Sequence, residues 1–139
     1  MKNEYIYDWL DFEFDADHIK ISKIKTIVGV SKGGLPLAIK LSNIFKLPLK
    51  IVEASSYKKH KQVTLYIEPF NPIMWKDPIL LVDDIVDSGE TLTTIKQELE
   101  IWNKKVITLT LFYKPKSIIK PDYCFNKVSN ETWVSFPWE

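Results

Sequence analysis

The sequence predicts an α/β protein with a mainly parallel central sheet flanked by helices. Three observations carry this expectation. Short β-branched or apolar runs recur along the chain: TIVGV at Thr26 to Val30, ILLV at Ile79 to Val82, and Val106 to Phe112. Between them lie segments with helical spacing of apolar residues. Glycine-containing turns join strand to helix, as in the βα units that build parallel sheets.

The first 24 residues carry Ile6, Trp9, Leu10, Phe12 and Phe14 in a pattern that fits neither the strand nor the helix period, and a short helix packed on the sheet is expected. Thr26 to Val30 reads as a buried strand that stops at the SKGG turn. Leu35 to Phe45 has Leu37, Ala38, Leu41, Ile44 and Phe45 at the spacing of one helix face. Pro36 is compatible with that helix because it falls in the first turn, where its missing N–H costs nothing. Leu49 to Ala54 predicts a second strand. The polar, lysine-rich segment from Ser55 to Gln62 predicts a mobile loop, and Val63 to Ile67 a small strand. Ile79 to Val82 is the most apolar strand of the chain. A helix is expected from about Gly89 to Trp102, with Leu92, Ile95, Leu99 and Trp102 on one face. Val106 to Phe112 predicts another strand, and Tyr123 to Val128 a weaker one.

A chain of 139 residues suits one domain with a single core. The expected division is a core over about 25–115 and a smaller C-terminal hood over about 116–139. Hydrophobic residues make up 45% and charged residues 27%, the balance of a globular protein rather than a disordered one. No apolar run is long enough to cross a bilayer, and the acidic, aromatic start lacks the pattern of a signal peptide. With one cysteine, Cys124, no internal disulfide can form, which fits a reducing compartment. A cytoplasmic location is therefore expected. A net charge of +1 gives no reason to expect a nucleic-acid or membrane partner. All 19 basic residues are lysines. Anion sites must then rely on backbone N–H groups and ammonium point charges, without the guanidinium fork. Cys124, in an apolar stretch with no histidine nearby, reads as a small core residue, and His18 and His60 receive no role.

The chemistry is concentrated in Ile79 to Thr91, ILLVDDIVDSGET. Asp83 and Asp84 are expected where the strand ends, in position for sugar hydroxyls and for Mg²⁺ directly or through its water shell. Asp87, Ser88, Gly89, Glu90 and Thr91 form a turn that feeds a helix, whose first N–H groups make a phosphate cup. Ser88 and Thr91 add hydroxyls, and Gly89 allows close approach. A DxSG turn taken alone is an ordinary helix cap. The apolar strand, acidic pair and SGET turn in register point instead to a phosphorylated sugar. A P-loop is excluded because no GK[ST] closes a glycine-rich loop.

This segment resembles the phosphoribosyl pyrophosphate (PRPP) signature of the type I phosphoribosyltransferases. VGVSKGG, SSY, LFYKP and ETWVSFPWE follow in the order of the bacterial xanthine-guanine (hypoxanthine) phosphoribosyltransferases, so that the resemblance spans Ile27 to Glu139. It implies a Mg²⁺-dependent transfer of 5-phosphoribosyl from PRPP to a 6-oxopurine, as in purine salvage, by a homodimer or homotetramer. It further implies that Asp87 is the acid/base beside N7 of the purine, and that Asp87 to Thr91 hold the 5′-phosphate. Ser31, Lys32, Gly33 and Gly34 would hold the pyrophosphate across a non-proline cis bond between Ser31 and Lys32. Lys32 stands where the family often has arginine. Ser55, Ser56 and Tyr57 would begin the flexible loop that closes over the reacting centre. Lys114 would donate to O6 of the base, Trp133 stack on its ring, and the backbone of Val134 read its far edge. Phe136 and Trp138 are expected in the core or at a subunit contact.

A regulatory protein that senses PRPP keeps the phosphate cup without catalysis, but the retained SKGG, SSY and LFYKP segments and the near-neutral charge weigh against it. A pyrimidine or orotate transferase shares the signature, and LFYKP and ETWVSFPW favour purines instead.

Overall fold

The structure, a computed structural model, describes residues 3–139. Its elements are β1 (Glu4–Ile6), α1 (Trp9–Asp17), β2 (Thr26–Ser31), α2 (Leu35–Phe45), β3 (Leu49–Lys59), β4 (Gln62–Ile67), β5 (Ile79–Val86), α3 (Glu90–Ile101), β6 (Val106–Tyr113), β7 (Tyr123–Lys127) and β8 (Trp133–Ser135). Six strands form the main sheet in the order β4-β3-β2-β5-β6-β7. All its pairings are parallel except β3 with β4. This is the α/β architecture the alternating runs predict.

The central strands bury both faces, so neighbouring residues enter different cores. Ile27, Leu80, Val82, Leu109 and Leu111 pack on the side of α1 and α2, against Phe12, Ala16, Leu37, Ala38 and Leu41. Val28, Val30, Ile79 and Leu81 pack on the other side against Leu92, Ile95 and Leu99 of α3. Two expected helix-face residues lie outside these cores. Ile44 is 43% exposed, while the next residue, Phe45, packs against the core; Trp102, the C-cap residue just past α3, is 37% exposed.

The N-terminal segment contains the expected helix, preceded by a strand. An Asp8–Asp11 capping box starts α1: the Asp11 N–H donates to Asp8 Oδ1 at 2.8 Å, and the Asp8 N–H to Asp11 Oδ2 at 3.1 Å. Only Phe12 and Ala16 of α1 are buried, while Leu10 is 81% exposed, which accounts for the absence of a clear period. β1 pairs in parallel with β8 in a separate two-stranded sheet. The hood therefore draws on both ends of the chain. β7 falls beyond residue 116 but is the sixth strand of the main sheet, so the boundary expected there is corrected.

The segment expected as a mobile loop, Ser55 to Gln62, is a β-hairpin. Ser55, Ser56 and Tyr57 lie within β3 opposite Tyr66, Leu65 and Thr64. The turn falls at His60 and Lys61, both with positive φ (51° and 66°), as a two-residue hairpin loop demands. A second correction concerns β5, which runs on to Val86, so that Asp83 and Asp84 sit within the strand rather than after it. No described helix is long and apolar enough to cross a membrane. Cys124 is half-buried on β7, its thiol 3.6 Å from Thr110 Oγ1 and pushed up in pKa by burial.

Replacing Leu80, which is fully buried between the sheet and α2, by alanine is expected to cost about 2–5 kcal/mol of stability. Urea denaturation would show it as a lower midpoint at unchanged slope.

Candidate active site

The crossover from β2 leads through α2 to β3 on one side of the sheet. The crossover from β5 leads through α3 to β6 on the other. Strand order therefore reverses between β2 and β5, and the crevice at their carboxyl ends is where ligands bind in such sheets. The turn after β2, the acidic end of β5 and the segment after β6 meet there.

The SKGG turn lies directly against the acidic pair. A Cβ on Gly33 would collide with the Asp84 carboxylate, and one on Gly34 would lie 2.6 Å from Val82 O and 2.8 Å from Val30 O. Only glycine permits this approach of β2's turn to β5. The Ser31–Lys32 peptide bond is cis, in line with the expectation from the resemblance. Beside it, a cavity of about 200 Å³ is lined by Ser31, Lys32, Glu53, Ala54, Ser55, Tyr66 and Glu68. Ser55 thus stands next to the SKGG turn, while Ser56 and Tyr57 continue up the hairpin.

Asp83 and Asp84 are partly covered neighbours. The Asp84 N–H donates to Asp83 Oδ1 at 2.8 Å and the Ile85 N–H to Asp84 Oδ1 at 2.7 Å. Burial and the adjacent Asp84 carboxylate push the pKa of Asp83 well up, and burial raises that of Asp84. Among the described residues, no cation pairs with either carboxylate. Among the described residues, no group of three or more His, Cys, Asp or Glu side chains could hold a metal ion. The two carboxylates of the pair offer oxygen ligands of the kind a hard divalent cation takes.

The DSGET turn opens α3. Gly89 is the N-cap, with φ +89°, and brings no side chain to cap the helix; α1, by contrast, has a complete capping box. A cleft of about 100 Å³ at the start of α3 is lined by Asp83, Ile85, Val86, Asp87, Ser88, Gly89, Thr91 and Leu92. Ser88 Oγ accepts from the Glu90 N–H at 3.3 Å, and the Glu90 side chain is exposed, leaving its backbone as the part that faces the turn. The segment after β6 packs behind this cup. The Ile118 N–H donates to Ser88 O at 2.9 Å, and a Cβ on Gly89 would lie 2.9 Å from Ile119 Cγ2.

Strand pairing also brings together Asp87 and Lys114, 27 residues apart by their numbering. Val86 is in register with Tyr113, and the Lys114 N–H donates to Val86 O at 3.0 Å. Lys114 is only 7% exposed, and its Nζ lies 3.5 Å from Asp87 Oδ2. Lys116, which the sequence did not single out, is closer still: its Nζ lies 3.0 Å from Asp87 Oδ1. Trp133 is on β8, 59% exposed, with Val134 buried beside it. The Trp133 indole stacks on no ring of the described residues, whereas Phe136 and Trp138 join the core as expected.

The family model Phosphoribosyl transferase domain matches residues 4–139. The xanthine-guanine phosphoribosyltransferase of Cereibacter sphaeroides is 30% identical over 125 residues, which cover 83% of this chain and 69% of that protein. A purine phosphoribosyltransferase from Pyrococcus horikoshii superposes with a TM-score of 0.85 at 29% identity, covering 98% of this chain and 94% of its own. The Helicobacter pylori xanthine-guanine-hypoxanthine phosphoribosyltransferase does so with a TM-score of 0.85 at 28% identity, covering 99% and 94%.

The raised pKa of Asp83 has a stability consequence of definite sign. Below the ordinary carboxylate value of 3.8 the group is protonated whether the chain is folded or not, and no penalty exists. As pH rises past that value the unfolded chain ionises first, and the folded chain loses stability until its own higher pKa is passed. Asp83→Asn keeps the Oδ1 acceptor and removes the charge. In the ligand-free protein it should raise the melting temperature at neutral pH, and the gain should shrink as pH falls towards 4. An unchanged or lower melting temperature at pH 7 would contradict the burial of charge described for this pair.

Proposed function

The chain belongs to the phosphoribosyl transferase domain family, and we propose that it transfers 5-phosphoribosyl from PRPP to a 6-oxopurine such as guanine, xanthine or hypoxanthine, releasing pyrophosphate. The observation that carries this reading is the Asp87–Lys114 pair, held at the edge of an uncapped helix N-terminus. The names of the relatives support purines as the acceptor class.

In this reading the 5′-phosphate of PRPP lies in the turn from Asp87 to Thr91, held by the first N–H groups of α3 and the hydroxyls of Ser88 and Thr91. The ribose diol lies against Asp83 and Asp84. The pyrophosphate sits over Ser31, Lys32, Gly33 and Gly34, where backbone N–H groups and one ammonium group receive it. Asp83 and Asp84 are the residues that would hold Mg²⁺, and the chemistry it supplies when bound is neutralisation of charge on the departing pyrophosphate. Lys32 assists there as a fixed cation.

The base meets a different edge of the site. The Lys114 ammonium donates to O6, which an adenine could not accept because it carries an amino group there; the mismatch would leave a buried donor unpaired. Asp87 Oδ2, next to that ammonium, takes up or relays the N7 proton as the bond to N9 forms. The exposed indole of Trp133 provides a stacking surface and the Val134 backbone reads the far edge. The hairpin that carries Ser55, Ser56 and Tyr57 stands beside the pyrophosphate turn, and its closure would exclude water from the ribosyl cation.

Pyrophosphate release should be observed with PRPP, Mg²⁺ and a 6-oxopurine, and not with adenine or uracil. Tight PRPP binding without turnover on any base would instead indicate a regulatory protein. Asp87→Asn is expected to lower turnover about a hundredfold or more with a smaller effect on PRPP affinity; wild-type turnover would remove the proton-transfer role. Trp133→Ala should raise the KM for the base about tenfold, the loss of one stacking partner, and an unchanged KM would refute the stacking.

A further inference from the structure

Lys116 has no part in the mechanism above, yet its ammonium is the nearest cation to Asp87. Lys116 Nζ lies 3.0 Å from Oδ1, against 3.5 Å from Lys114 Nζ to Oδ2. The two lysines therefore divide the carboxylate between them, one on each oxygen. Lys116 is also tied down on both sides through its backbone. Its N–H donates to Asn130 Oδ1 at 2.9 Å, in the turn that leads to β8. The Ser117 N–H closes a turn onto Lys114 O at 3.0 Å, and the next residue, Ile118, donates to Ser88 O at 2.9 Å. The side chain that grips Asp87 thus stands on a turn anchored both to the hood and to the phosphate cup.

We propose that Lys116 is a positioning residue for the transfer reaction. By holding Oδ1 it fixes the rotation of the Asp87 carboxylate and presents Oδ2 to the base beside Lys114. The need for a second lysine follows from the first one's task. When Lys114 turns its ammonium to the oxygen of the base, Asp87 loses part of its partner, and a carboxylate with one free torsion could swing out of reach of N7. Lys116 keeps the carboxylate neutralised and oriented through that exchange. The inference rests on the reading that Asp87 serves the base nitrogen.

Its test is separable from that reading because the ion pair is half exposed, with 49% of the Lys116 side chain and 54% of the Asp87 side chain accessible, and such pairs contribute little to stability. Lys116→Met keeps the apolar stem and removes the charge; Lys116→Arg restores a cation. With PRPP, Mg²⁺ and guanine, K116M should keep its melting temperature, lower kcat about tenfold through misplacement of the carboxylate, and leave the KM for PRPP close to that of the wild type. K116R should recover most of the loss. In a D87N background, K116M should have no further effect on kcat, since its only route to the reaction is through Asp87. An active wild type with undiminished kcat in K116M, or an equal loss in the D87N background, would overturn the positioning role alone. A wild type inactive on every base would overturn the function and this inference together.

Discussion

The site depends on how closely the turn after β2 can approach the end of β5. At Gly34 a single methyl group would strike two backbone carbonyls, and at Gly33 it would strike the Asp84 carboxylate. These contacts bring a loop suited to one end of an anionic ligand against an acidic pair suited to its cation. Neither glycine has a positive φ; the requirement here is space, not torsion. Gly89 is the opposite case, since its φ of +89° turns the end of β5 into the start of α3. One kind of residue thus meets two different constraints in one crevice.

The charges around the crevice are segregated. Asp83 and Asp84 leave an electronegative edge short of a cation, whereas Asp87 is outnumbered by Lys114 and Lys116. A ligand with a cation-bound leaving group at one end and an oxygen acceptor at the other complements both edges. Without arginine, that separation is made with ammonium groups whose positions are set by the backbone rather than by a planar fork. Lys114 follows the last residue of β6 in register with β5, and Lys116 is held by Asn130. The hood is in turn fixed to the sheet by aromatic edges: Phe112 of β6 meets both Tyr7 and Phe136, and Trp138 stacks on Phe136. Tyr7 also donates to Asp15 Oδ2 at 2.7 Å, where Asn126 Nδ2 arrives from β7 at 3.2 Å. Burial and the neighbouring Asp15 push the Tyr7 phenol far up in pKa, so it serves as a donor throughout the ordinary pH range.

The sheet, α2 and α3 were legible because their signals are local. ILLV is a buried strand under any tertiary arrangement, and SGET opens a helix. The acidic pair and the SGET turn were legible for the same reason, as contiguous residues. What escaped depended on partners distant in sequence. The middle of the β3–β4 hairpin, Ser55 to Gln62, read as a loop because His60 and Lys61 stand where Asn-Gly would usually mark the turn, and its exposed polar residues gain their order from pairing. The strand β1 exists only because β8 lies beside it. The Asp8–Asp11 box was a readable signal that the scattered aromatics obscured. Lys116 could not be found from spacing, since its link to Asp87 arises from the register of β5 with β6.

If PRPP is held where the SKGG turn touches the acidic pair, Gly33→Ala must disturb its binding. The added methyl group meets the end of the Asp84 side chain, so the fold can persist while the carboxylate must move. Calorimetric titration with PRPP and Mg²⁺ should show binding weakened about tenfold or more, a difference of about 1.4 kcal/mol, in a protein that melts close to the wild type. Wild-type affinity in a correctly folded G33A protein would contradict the account, because it would place the ligand away from that contact.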